Sequence, residues 1–156
     1  MADFLIRPAR EDESGLVLDF IKQIAAYEKL SHLVEATEHK IHESLFVNHD
    51  AKAIIAFEND IPVGFALYYY NFSTFKGKKG LYLEDLFVKE EHRHKGYGKA
   101  LITYLIRQAS IEKVGRMEWT CLDWNQTAAQ FYLSLGAKPM DGWTIFRLDE
   151  KDLGQL

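Results

Sequence analysis

The stretch from Leu81 to Gln108 constrains this 156-residue chain more than any other. Leu81, Tyr82, Leu83, Leu86, Phe87 and Val88 form a nearly continuous apolar and aromatic run, the pattern of a strand covered on both faces. Leu101, Ile102, Leu105, Ile106 and Ala109 then recur at intervals of three and four, the apolar stripe of a helix. Between them lies a basic loop with Gly96 and Gly98 where the helix must begin. Glu84 and Asp85 interrupt the strand, and two adjacent carboxylates there are costly to bury unless something pairs with them. Because adjacent strand residues point oppositely, Asp85 could equally face another direction from Glu84.

The junction has a physical use. The first N–H groups of a helix have no intrahelical partner, point along the axis and carry partial positive charge. Glycines let the backbone approach a bulky anion closely, and Arg93, Lys95 and Lys99 add positive charge around the same turn. The expected ligand is a phosphate or pyrophosphate. Neither a G-x-x-x-x-G-K-[ST] loop nor a G-x-G-x-x-G fingerprint is present. What remains is Arg-x-x-Gly-x-Gly at 93, 96 and 98, which resembles the acetyl-CoA pyrophosphate loop of the GNAT acetyltransferase superfamily.

Further segments resemble one branch of that superfamily, the spermidine/spermine and thialysine acetyltransferases. They are Phe4-Leu5-Ile6-Arg7-Pro8-Ala9, Ala26-Tyr27-Glu28-Lys29-Leu30, Tyr82-Leu83-Glu84-Asp85, Leu122-Asp123-Trp124-Asn125, Phe131-Tyr132 and Leu135-Gly136-Ala137. The resemblance runs through nearly the whole chain in one order. It departs at His94, where those relatives usually carry glycine.

The length suits one domain with a single core, taken as residues 1–156. Apolar residues make up 47% of the chain and aromatics 13%, enough for a folded globule. No apolar run is long enough to span a bilayer, and the N-terminus lacks a signal pattern. Cys121 is the one cysteine, so no internal disulfide framework exists, and a cytoplasmic location is the default expectation. The net charge of −4 disfavours a nucleic-acid partner and mildly favours a cationic substrate.

Read in order, residues 3–8 form a short first strand. Asp12 and Glu13 start a helix that runs to about Leu30 on the stripe Leu16, Val17, Phe20, Ile21 and Ile24. Thr37 caps a second helix with Ile41, Leu45 and Phe46 inward. Residues 52–57 and 61–72 form strands joined by an Asn59-Asp60 hairpin turn, and residues 73–80 form a loop. After the central strand and helix, which Gly115 ends, come a strand over 117–122, a short helix begun by Asn125 or Gln126 and stopped by Gly136, and a final strand over 143–148. This order gives an α/β or α+β sheet with helices on both faces, compatible with the GNAT fold and its mixed, mostly antiparallel sheet.

Acetyl transfer from a thioester to an amine must deprotonate an ammonium of pKa near ~10.4 and serve a thiol leaving group of pKa about 8.5. The resemblance implies acetyl-CoA as co-substrate, no metal, and Tyr132 as the acid that donates to the departing thiolate. Glu84 is the candidate base, acting directly or through water. The resemblance also puts Tyr27 and Glu28 in the amine pocket; Asp85 and Glu118 are further candidates there. The backbone of Leu86, Phe87 and Val88 is expected to pair with the pantetheine arm. That of His94, Lys95, Gly96, Tyr97, Gly98 and Lys99 is expected to hold the pyrophosphate with Arg93, and Asn125 to contact the cofactor arm. Ser73-Thr74-Phe75 is similar to the Ser-Thr of the thialysine branch rather than the Asp-Pro of the polyamine branch, so Ser73 and Thr74 are expected to meet the carboxylate of a lysine-like ω-amino acid. The expected partners are a small-molecule amine and a second copy of the chain in a homodimer, with contacts through the C-terminal strand, and neither nucleic acid nor membrane. A protein amino-group acetyltransferase and a non-catalytic acetyl-CoA-binding module are the alternatives. The His92-x-His94 pair lacks a third metal ligand, the His39 and His42 group reads as a solvated helix face, and Cys121 reads as a core residue of an apolar strand.

Overall fold

Residues 3–155 are described by a computed structural model. Five strands lie in sequence order: β1 (Phe4–Pro8), β2 (Lys52–Glu58), β3 (Ile61–Ser73), β4 (Lys78–Val88) and β5 (Met117–Glu118). The first four are antiparallel neighbours, and β5 adds to β4 in parallel, so the sheet is mixed and mostly antiparallel as expected. Asn59 and Asp60 both take left-handed φ values, 50° and 66°, which suits the two-residue turn joining β2 to β3.

The alternation of β2 and β3 sorts their side chains onto two apolar faces, both covered. Ile55, Phe57, Phe65 and Leu67, with Phe87 of β4, pack against Val17, Phe20 and Ile24 of α1 (Ser14–Tyr27) and against Leu45. Phe20 stacks on Phe65 with ring centroids 5.0 Å apart. Ile54, Ala56 and Ala66 alternate to the opposite face, where α3 (Tyr97–Ile111) buries Leu101, Ile102, Leu105 and Ala109. Gly64 lies under α3: a Cβ there would meet Leu101 Cδ1 at 3.3 Å and the Phe87 carbonyl oxygen at 2.7 Å. This double cover explains the continuous apolar run of β4.

Local signals set the helix ends. Arg7 donates to both oxygens of Glu13 at 2.8 Å, and Arg10 N–H donates to Glu13 Oε1. This fixes a tight turn at Glu11–Glu13 ahead of α1. Thr37 caps α2 (Glu38–His42) by accepting from Lys40 N–H at 3.1 Å, and the helix continues as a π-helical segment, Glu43–Val47.

Several expected boundaries are corrected. α1 ends at Tyr27 rather than Leu30, because Lys29 turns left-handed (φ 62°) and Leu30 N–H closes onto Ala25 O. α3 ends at Ile111, with left-handed Lys113 (φ 56°) as the reversing residue in place of Gly115. Gly115 answers a packing constraint instead, since a Cβ there would lie 2.9 Å from Lys76 Cβ. The expected 73–80 loop shrinks to a turn over 74–77, because Ser73 ends β3 and Lys78 begins β4. The strand over 117–122 is only Met117–Glu118, so Cys121 lies in no strand, and residues 143–148 form none.

The chain gathers into two compact units, one ending at Thr120 and one beginning at Cys121. The second carries α4 (Gln126–Ser134), capped by Asn125, whose Oδ1 accepts from Ala128 N–H at 3.2 Å, and closed by Gly136 at φ 89°. Among the described residues no helix is long and apolar enough to cross a membrane.

Candidate active site

Two features of the first unit carry chemistry: the turn into α3 and a group of carboxylates on the α1 face of the sheet. Gly96, at φ 81°, is the N-cap of α3 and supplies no side chain to the first helical N–H groups. A Cβ at Gly98 would find only Val88 Cγ2, at 3.8 Å. The start of α3 therefore presents amides with open space before them, the arrangement that suits an anion. His94 is itself left-handed at φ 64°. Glycine fits such a position at no steric cost, and histidine occupies it at some cost.

The basic residues of the turn take different positions. Lys99 is exposed on the first turn of α3. Arg93 is turned inward: its Nε donates to Val88 O at 2.9 Å, and its guanidinium lies 4.7 Å from the Tyr27 ring centroid and 5.4 Å from that of Phe87. It ties the end of β4 to the end of α1. Lys95 reaches Glu58, at 3.3 Å. Among the described residues β5 pairs only with Leu81 and Tyr82, so Leu83 to Val88 have no strand neighbour on that side of β4. Leu86, Phe87 and Val88 thus lie in an edge of the kind to which an extended ligand adds by backbone pairing.

The carboxylates owe their placement to an irregularity in β4. Leu67 is opposite Asp85, but Tyr68 is opposite Leu83, so Glu84 is an extra residue with no partner across the ladder. This is a β-bulge. It shifts the alternation by one: Tyr82, opposite Tyr69, and Asp85, opposite Leu67, come to the same face although three residues apart. The direction of Asp85, left open by its position next to Glu84, is set by the bulge, which brings it to the α1 face. There it meets Glu28, the C-cap of α1. Burial, then the charges of Glu84 and Glu28, push the Asp85 carboxyl up to about 7. Burial also raises the Glu28 carboxyl above its ordinary value. Glu84 is exposed beside Tyr69, whose phenol is raised by burial and then by the Glu84 charge. Asp85 thus feels the charges of two neighbouring carboxylates, an arrangement that is favourable toward an ammonium.

The remaining candidates lie elsewhere or have structural partners. Ser73 is buried, and its Oγ accepts from Lys76 N–H at 3.3 Å, shaping the β3–β4 turn; Thr74 is exposed in that turn. Glu118 pairs with Arg116 at 3.0 Å. Tyr27 is 41% exposed, with Arg93 over its ring. In the second unit Asn125 caps α4, and Tyr132 lies on that helix with its ring 5.5 Å from that of Phe131. Sequence reasoning missed Glu58, which binds Lys95 and Tyr97. The signal available was one acid closing an isoleucine-rich strand just before the hairpin turn.

Comparison with known proteins gives the class, an acetyltransferase. Residues 18–137 match the model of the acetyltransferase (GNAT) family. The chain is 33% identical to thialysine N-epsilon-acetyltransferase of Bos taurus, over all of this chain and 98% of that protein. It is 30% identical to an L-ornithine N5-acetyltransferase of Arabidopsis thaliana, over 92% of this chain and 83% of that one. Among solved structures, an integron cassette protein from the mobile metagenome of V. cholerae superposes with a TM-score of 0.80 at 29% identity, covering 97% of this chain and 96% of the other. The protein belongs to the GNAT family and is an acetyltransferase.

Proposed function

We propose that this acetyltransferase moves the acetyl group of acetyl-CoA to the terminal amine of a small cationic substrate, an ω-amino acid of the thialysine, lysine or ornithine kind. The observation that carries the reading is the grouping of carboxylates at Asp85, on the α1 face of the sheet opposite Leu67, where it feels the charges of Glu84 and Glu28. An ammonium entering that site is attracted by these carboxylates. A base whose conjugate acid titrates near neutrality is well matched to proton removal at pH 7, and Asp85 is held at about 7. The ammonium proton leaves to Glu84, the exposed carboxylate beside Asp85, directly or through water.

Acetyl-CoA lies with its pyrophosphate on the amides of His94 to Lys99 and its pantetheine arm along Leu86 to Val88. The open α3 start and the unpaired edge of β4 support this placement. Tyr132 donates a proton to the departing thiolate, and Asn125 contacts the cofactor arm. The amino-acid preference is supported by Ser73-Thr74-Phe75 at the β3–β4 turn and by the names of the two relatives above. Because the Ser73 hydroxyl is buried, the exposed Thr74 is the better placed to meet an α-carboxylate. The protein works in the cytoplasm as a homodimer. The exposed apolar side chains of Trp143, Ile145, Phe146 and Leu148 support the C-terminal segment as the contact, and light scattering at several concentrations tests it.

A thiol-release assay with acetyl-CoA and a panel of thialysine, lysine, ornithine, spermidine and a lysine-containing peptide tests the function. Thialysine or a related ω-amino acid is expected to give the highest kcat/KM. Spermidine as the clearly better substrate at matched pH would overturn the amino-acid assignment, and turnover of the peptide alone would move the reading to protein amino groups.

A further inference from the structure

The turn that opens α3 is held by a residue outside it. Glu58, the last residue of β2, has a side chain only 14% exposed. Both of its oxygens accept from Lys95 Nζ at 3.3 Å, and Oε2 also accepts from the Tyr97 hydroxyl. Buried His92 Nδ1 lies 3.6 Å from that same oxygen. The Tyr97 ring in turn stacks on Phe4 at 4.2 Å, nearly parallel, and Phe4 is the β1 residue opposite Glu58. One carboxylate on the rigid sheet therefore holds the turn through hydrogen bonds at positions 95 and 97, with His92 close by. The two left-handed residues, His94 and Gly96, flank Lys95. A left-handed histidine is disfavoured in an isolated chain, so tertiary contacts must impose it.

We infer that Glu58 is a positioning residue for acetyl-CoA: it holds the His92–Tyr97 turn in the conformation that aims the first N–H groups of α3 at the pyrophosphate. The inference rests on reading this turn as the pyrophosphate site. Two effects of Glu58 oppose one another. Its negative charge repels a nearby pyrophosphate, and its hydrogen bonds order the turn that binds one. The Tyr97 and Lys95 hydrogen bonds keep the carboxylate ionised, below its ordinary pKa. That same Lys95 charge largely cancels its field at a distance, which salt screens further. Ordering should win, because misaligned amides lose affinity steeply with small displacements.

The test is steady-state kinetics of Glu58→Gln and Tyr97→Phe with two donors, acetyl-CoA and S-acetylpantetheine, which lacks the pyrophosphate. Glu58→Gln is expected to lower kcat/KM for acetyl-CoA roughly tenfold, nearly all in KM, and to leave S-acetylpantetheine within about twofold. Tyr97→Phe, which keeps the ring stack on Phe4 and removes one donor, should move the same way by less, and it decides the matter if Glu58→Gln fails to fold. Equal losses on both donors would make Glu58 a general structural residue and overturn the inference. So would an unchanged or lower KM for acetyl-CoA, which would mean that charge repulsion outweighs ordering. Equal wild-type kcat/KM for the two donors would overturn the pyrophosphate reading itself, and this inference with it.

Discussion

Asp85 stands opposite Leu67 on β3, on the face that α1 covers, because the bulge at Glu84 shifts the ladder by one residue. Its carboxyl is raised from 3.8 to about 7 by burial and by the neighbouring Glu84 and Glu28. The folded state thus keeps a proton that the unfolded chain has already released between those two values. Stability is fully present below the unfolded pKa and falls as pH rises toward the folded one. Asp85→Asn cannot ionise. It should match wild type near pH 3.5 and be more stable at pH 8 by about 1–3 kcal/mol. Urea unfolding at the two pH values measures this, and an Asp85→Asn protein less stable than wild type at pH 8 would remove the argument for strain.

The turn into α3 makes a second prediction. Gly98 has a negative φ, and a Cβ there meets only Val88 Cγ2 at 3.8 Å, so Gly98→Val should fold with little loss of stability. The added methyls enter the space before the helix amides, where the pyrophosphate is proposed to lie. Acetyl-CoA affinity should fall on the order of tenfold or more while the unfolding midpoint stays within a few degrees. Calorimetric titration of the folded variant checks this, and an unchanged affinity would show the turn to be only a strand-to-helix connection.

Much of this was legible in the residues, for physical reasons. Strong periodicity fixed α1 and α3, and the Asn59-Asp60 pair fixed its hairpin, because each depends on local forces. Thr37 was readable as a cap for the same reason, and the start of α4 was readable to within one residue, Asn125 or Gln126, of which Asn125 is the cap. The bulge at Glu84 was not, because register is a property of two strands and not of one. The anchoring of Lys95 and Tyr97 by Glu58 was hidden likewise, since the partners are separated by 37 and 39 positions. Residues 143–148 are rich in apolar and aromatic residues, and no strand forms there; strand formation depends on a pairing partner, which sequence does not display.

The covered sheet makes a stability prediction at Gly64, in β3 opposite Val88. A Cβ there would lie 2.7 Å from the Phe87 carbonyl oxygen and 3.3 Å from Leu101 Cδ1. Backbone cannot move aside as a side-chain tip can. Gly64→Ala should therefore destabilise the protein by about 1–3 kcal/mol, despite the usual gain from replacing glycine in a strand. Chemical denaturation gives the number, and a more stable Gly64→Ala protein would show that β3 and β4 can separate at this point without cost.

The acid role proposed for Tyr132 concerns the departure of the thiolate. A phenol of pKa about 10 is a weaker acid than a thiol of about 8.5, so full proton transfer to a free thiolate is uphill. Donation matters while the carbon–sulfur bond is breaking, when charge builds on sulfur faster than it can be solvated. Tyr132→Phe keeps the ring on α4, beside Phe131, and removes only the donor. Turnover should fall by roughly 10²–10⁴ with KM for acetyl-CoA nearly unchanged. A second readout separates this role from a structural one. With an acetyl thioester whose thiol is more acidic than that of coenzyme A, the leaving group needs less help, so the gap between Tyr132→Phe and wild type should narrow. A variant that turns over acetyl-CoA within about twofold of wild type would reject the acid role. A large loss that is identical for both thioesters would assign Tyr132 to the packing of its helix instead.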